Sequence, residues 1–186
     1  MAPKVKVTRQ AVLDAGLELV RKAGENALNA RNLAAALGCS TQPVFTHFAS
    51  MEQLRLALVV EAGRLCHSYM EQEIAEKKYP PYKASGMAYI RFARQERNLF
   101  QLLYMRDRSG EQEVPDQFLW DVGVDLAGQA VDRELDQLVG FHMEMWAIVH
   151  GFATMAATGF LPLEEDAISA MITDVFQGLK KQHGEV

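Results

Sequence analysis

The run from Gly38 to Phe48, GCSTQPVFTHF, sets four polar tips, Thr41, Gln42, Thr46 and His47, among Val44, Phe45 and Phe48. A helical turn sorts such a pattern into a polar side and an apolar side. Hydroxyl, amide and imidazole groups displayed in that way can exchange hydrogen bonds with nucleotide base edges, and an α-helix is an element that fits a DNA major groove. Nothing comparable suggests catalysis. The sequence contains no nucleophile elbow, no phosphate-cradling Gly loop and no close Ser/His/Asp grouping. His142 and Glu144 stand two residues apart on a helical pattern, hence on different faces. Cys39 and Cys66 are too few and too isolated for a disulfide framework, and no Cys/His cluster has metal-ligand spacing. The expectation is a non-enzymatic protein without metal or cofactor.

The elements that must hold these tips are all helical. Thr8 caps a first helix in which Ala11, Val12, Ala15, Leu19 and Val20 form the apolar stripe, and Ala23-Gly24 stops it. Asn29 caps a short second helix with Leu33, Ala34 and Leu37 on one face, ended by Gly38 at a position that favours a left-handed residue. Ser40 is the expected cap of a third helix, with Pro43 tolerated in its first turn. Phe45 and Phe48, with Val44, should fix that helix to those behind it. Ser50-Met51-Glu52-Gln53 has the form of a capping box and announces a long helix toward Glu76, broken by KKYPPYK. Further helical patterns run over 84–95, 98–106, 115–131, 135–158 and 164–181, with no strand-like alternation. Two short helices around a Gly-containing turn form a helix-turn-helix.

Charge divides along the chain. Net charge is −5 over 186 residues, yet residues 1–60 carry seven Lys and Arg against four acids, while the remainder carries twelve against twenty. That asymmetry suggests an anion-facing N-terminal module on an acidic body. MAPKVKVTRQ lacks the apolar run of a signal peptide, and no segment reaches the length needed to span a bilayer. A cytoplasmic protein without a membrane partner is therefore expected, with its thiols reduced.

Residues 11–54 resemble the DNA-binding domain of the tetracycline-repressor (TetR-like) family of transcriptional regulators. The likeness rests on Ala15, Leu19 and Gly24, on the stretch from Leu28 to Ala34, on Gly38 and Ser40, and on the His47-Phe48 ending. It implies an N-terminal helical DNA-binding domain over 1–53 and a larger helical ligand-binding and dimerisation domain over 54–186, in an all-α protein. It also implies base contacts by Arg31 and Gln42, with Thr41, Thr46 and His47 near bases or phosphates. Arg suits a guanine edge and Gln an adenine edge. Arg31 can equally be a solvated charge, and His47 a ring packed under the next helix on a backbone hydrogen bond. Phe45 and Met51 stand where the family usually has a phosphate-holding tyrosine and lysine. The expectation is weaker DNA binding, or compensation by Lys4, Lys6 and Arg9 in the N-terminal arm and by the N–H groups at the Ser50 helix start.

The acidic body should supply a partner. Dimers read half-sites spaced about one helical turn, ~34 Å, or a multiple apart. Gly140, Ala147, Gly151, Thr154 and Thr158 form a small-residue stripe, and Ile168, Met171, Ile172, Val175 and Leu179 line the last helix. A two-fold four-helix bundle would cover both; the alternative is that both stripes bury inside one protomer. Trp146, His150 and Gly151 are similar to the WHG type of C-terminal domain within this family, with His150 a structural hydrogen-bonding group. Phe100, Tyr104, Phe118, Trp120, His142, Met143 and Trp146 are the candidates for lining an effector cavity, and the resemblance implies a small, mostly apolar molecule there. The resulting expectation is a homodimeric repressor of a pseudo-palindromic double-stranded DNA operator, released by its effector. The alternative is a helical adaptor that has lost operator binding.

Overall fold

A computed structural model describes residues 7–106, 117–132 and 134–182, with side chains described from Trp120 onward in the segment that starts at 117. The helices are α1 (Arg9–Ala23), α2 (Ala30–Ala36), α3 (Gln42–His47), α4 (Met51–Glu76), α5 (Pro81–Gln95), α6 (Arg97–Tyr104), α7 (Gln117–Ala130), α8 (Leu135–Thr158) and α9 (Glu165–Gln182), with a 3-10 turn at Glu25–Ala27. Among the described residues there is no strand, and the fold is all α.

Local chemistry sets most helix ends. Thr8 Oγ1 accepts from the Ala11 N–H, and Asn29 Oδ1 from the Asn32 N–H, each satisfying a first-turn donor that has no intrahelical partner. Gly38 takes φ 63° and Gly159 φ 69°, left-handed positions that close α2 and α8. Ser50 Oγ accepts from the Gln53 N–H as a capping box requires, but the Gln53 side chain reaches back to the Ala49 N–H rather than to that of Ser50. Two caps differ from expectation. Thr41, not Ser40, is the N-cap of α3, and its side chain makes no cap bond. Helix α5 starts three residues early, because Pro81 occupies its first position, where a missing N–H costs nothing.

The chain divides into two compact units. The first comprises residues up to Arg64 and the stretch from Asn98, including most of α6. Its core joins Val12, Leu13 and Val20 of α1, Leu33 of α2, Val44 and Phe48 around α3, and Leu54, Leu58 and Val59 of α4, all buried. Gly16 lets α1 and α4 approach closely, since a Cβ there would lie 2.9 Å from the Leu58 side chain. Helix α6 adds buried Leu99, Phe100, Leu102 and Leu103, and Asn98 donates to the Arg21 carbonyl near the end of α1.

Among the described residues, the second unit holds 65–97, 117–132 and 134–182, with α5 packed most extensively on α8. Tyr82 meets His142 and Tyr89 meets His150, so α5 and α8 run in the same direction. Helix α9 runs against α5: Lys83 bonds Thr173, while Arg91 and Arg94 reach Glu165 and the Leu163 carbonyl. Ile168 and Ile172 are each 3% exposed, so these two belong to the protomer core and leave the expected dimer-facing stripe of α9. An amphipathic helix buries its most apolar edge against the nearest cover, here supplied inside the same unit.

Candidate functional site

The surface expected to face DNA is built on α3. Val44 and Phe48 are buried and anchor it, leaving Thr41, Gln42 and Thr46 exposed. Phe45 does not share that anchoring role: its ring is 48% exposed on the outer side. The correction has a helical cause, since Phe45 follows Val44 by one residue and is therefore turned about 100° from it. Thr46 Oγ1 donates to the Gln42 carbonyl of its own helix. The His47 ring is half-buried, with Nε2 2.8 Å from the Val7 carbonyl. A carbonyl can only accept, so Nε2 carries the hydrogen and ties α3 to the chain preceding α1.

Around α3, Arg31 is exposed on α2, and Arg9 is exposed with its guanidinium 4.9 Å from the Phe48 ring centroid. Such a contact leaves the positive charge open on one side. Met51 is half-buried at the first position of α4. Lys4 and Lys6 lie outside the described residues.

The candidates for an effector site divide between the units. Phe100 is fully buried in the first, its ring 5.1 Å from that of Tyr104. Met143, at 48% exposure, points away from the core of the second. Phe118 is among the side chains that are not described. Trp120, His142 and Trp146 do come together. The Trp120 ring meets His142 edge to face at 4.7 Å and Trp146 at 6.1 Å, and Trp146 stacks on His150 at 4.6 Å. Trp120, His142, Trp146 and His150 thus form one aromatic cluster within the second unit, whereas Phe100 and Tyr104 belong to the first.

Two members of this cluster were not singled out from the sequence. The hydroxyls of Tyr82 and Tyr89 each lie 2.9 Å from a histidine Nδ1, that of His142 and that of His150 respectively. The tyrosines are seven residues apart on α5 and the histidines eight apart on α8, two helical turns in each case, which is the signal that could have paired them. Burial pushes the His142 pKa down to about 4 and lowers that of His150, while burial raises that of Tyr82. Gly123 completes the packing, since a Cβ there would lie 2.5 Å from His142 Cε1 and Nε2. His150 thus takes the hydrogen-bonding place expected of it. Beside Trp120, a cleft of about 640 Å³ runs along α7 and the start of α8, with Asp121, Asp125, Leu135, Leu138 and Val139 in its walls. Among the described residues no three His, Cys, Asp or Glu side chains gather as metal ligands.

On α8, Gly140, Met143, Ala147, Gly151, Thr154 and Thr158 follow steps of three and four and are all at least partly exposed. Phe141, His142, Met145, Val149, Ala153 and Ala157 are buried on the opposite side. A Cβ added at Gly140 or Gly151 would meet nothing within 4 Å. On α9, Met171, Val175 and Leu179 are partly exposed.

Residues 12–58 match the family model described as bacterial regulatory proteins, tetR family, and residues 82–176 match that of the tetracyclin repressor-like C-terminal domain. The chain belongs to the TetR family. Among solved structures, the TetR-family chain is similar to a protein of unknown function from Rhodococcus sp. RHA1, at 23% identity and TM-score 0.77, covering 95% of this chain and 97% of that one. A TetR-family member from Streptomyces coelicolor A3 matches at 19% identity and TM-score 0.69, covering 89% and 96%. The multidrug binding protein EbrR, solved with imidazole, matches at 16% identity and TM-score 0.65, covering 89% and 88%. At these identities the likeness concerns the fold. No curated protein sequence matches the chain. Among the described residues, no helix is long and apolar enough to cross a membrane. By family and fold this TetR-family protein is a DNA-binding regulator.

Proposed function

We propose that this TetR-family protein is a homodimeric repressor that reads a pseudo-palindromic operator with α3 and is released by a small, mostly apolar molecule. The observation that carries the reading is the outward display of Thr41 and Gln42 at the start of α3 while Val44 and Phe48 anchor its back. First-turn residues of such a helix are those that reach base edges. Arg31 and Arg9 add exposed positive charge nearby, suited to a guanine edge and to phosphate respectively.

The partner surface in this reading is the exposed stripe of α8 from Gly140 to Thr158 with Met171, Val175 and Leu179 of α9. Small residues permit close helix approach, and a two-fold axis would make one surface cover itself. The effector would lie against the open groove beside Trp120, the one expected effector residue among those described that lines it. The imidazole bound by EbrR supports the idea that proteins of this fold take small ring compounds. Release requires that the effector prefer a dimer whose two α3 helices no longer match successive grooves, and by linkage operator must weaken effector binding by the same factor.

The test is selection of bound fragments from a random double-stranded pool, followed by footprinting. Recovery of one palindromic sequence supports the repressor. Recovery of none at low salt would leave the helical adaptor as the better account.

A further inference from the structure

Phe45 stands out in the first unit as an aromatic ring 48% exposed in the middle of a polar face. Thr41 already has helical backbone angles, φ −71° and ψ −18°, so the helical frame includes it. With about 100° of rotation per residue, Phe45 lies about 40° round from Thr41, Gln42 about 100° and Thr46 about 140°. The ring therefore lies angularly between Thr41 and Gln42, one turn further along α3, so a groove that takes those two tips also receives the ring at a neighbouring step. Its neighbours leave it that role: Thr46 Oγ1 is bonded to its own helix and His47 is turned toward Val7.

A phenyl ring neither donates nor accepts a conventional hydrogen bond, and covering it is favourable only against an apolar group. The major-groove base edges present mostly hydrogen-bonding groups, and the largest apolar group among them is the C5-methyl of thymine. We propose that Phe45 reads a thymine methyl group in each half-site and is thereby a specificity-determining residue. This rests on the operator-binding reading above, and it adds the base that the aromatic position selects.

The experiment uses the full-length protein and the operator recovered by selection, with each thymine replaced in turn by deoxyuridine, which lacks only the methyl group. Removing one methyl at the site of contact should weaken wild-type binding about fourfold per half-site, the loss expected for one buried carbon. Phe45→Ala should be indifferent to that same replacement while keeping the wild-type circular dichroism spectrum and its preference at the Gln42 position. If no deoxyuridine replacement weakens the wild type, or if Phe45→Ala stays equally sensitive, the assignment is overturned and operator binding stands. If no sequence is enriched from the pool, operator reading itself fails and this assignment with it.

Discussion

The phenolic oxygen of Tyr82 on α5 lies 2.9 Å from Nδ1 of His142 on α8. Burial keeps the phenol protonated and favours the neutral imidazole, so a single hydrogen is shared along this line between hydroxyl and ring. Tyr89 and His150 repeat the arrangement two turns further along. Stability should therefore depend on pH. His142 titrates near 6.5 when unfolded and near 4 when folded, so between those values the unfolded chain holds the additional proton. The contribution is complete above about pH 6.5 and is lost as pH falls toward 4, amounting to at most about 3 kcal/mol. Urea denaturation at pH 7 and pH 5 should show the decrease, and His142→Asn should flatten it.

Gly123 leaves room for that ring. Gly123→Ala places a methyl 2.5 Å from His142 Cε1 and Nε2, and relief requires the ring to shift from its place against Tyr82. The expected cost is about 1–3 kcal/mol in chemical denaturation. In a His142→Ala background the cost should shrink, since the group that clashes is gone; an unchanged cost would place the strain elsewhere.

Glu73, with its side chain 0% exposed, sits 2.5 Å from Arg91 Nη1 as a charge pair without a directed hydrogen bond. Arg91 is 31% exposed and also faces Glu165. The two halves of the pair should thus be unequal. Arg91→Leu strands a buried carboxylate and should cost about 3–5 kcal/mol, whereas Glu73→Leu leaves a guanidinium with a second acid and some solvent and should cost less. Equal losses would contradict this.

Contacts with DNA should separate by kind. Arg31→Ala or Gln42→Ala should cost about 1–3 kcal/mol of operator affinity and relax the preference at one position of each half-site. Arg9→Ala should weaken all sequences alike and reduce the salt dependence of binding by about one counterion per protomer. Lys4 and Lys6 substitutions should follow the Arg9 pattern. Binding isotherms over a range of salt, against operator and scrambled duplex, distinguish the two classes.

Association through α8 should be separable from folding. Met143→Glu or Ile148→Asp changes a side chain that is 48% or 38% exposed, so the protomer should lose little stability while a dimer built on this face dissociates. Sedimentation velocity reads the outcome directly. A variant that remains dimeric would move the interface off this face.

Much of the molecule was legible from residues near one another in the chain. Thr8, Asn29 and Gly38 do what their types demand because a cap bonds within three residues of itself and a left-handed glycine closes the turn beside it. The helix-turn-helix, the long α8 with its small-residue stripe, and the absence of strand-like alternation follow from the same short-range patterns. What could not be read locally is which face of each helix finds cover. Phe45 and Phe48 are chemically identical and three residues apart, yet one is exposed and the other 2% exposed. Ile168 and Ile172 are covered within the protomer, His47 bonds a carbonyl forty residues away, and Phe100 packs in a different unit from Trp120. Periodicity fixes the relative orientation of side chains on one helix, because backbone geometry does so; the partner each face meets depends on packing all the helices at once, and that is a property of the tertiary structure alone.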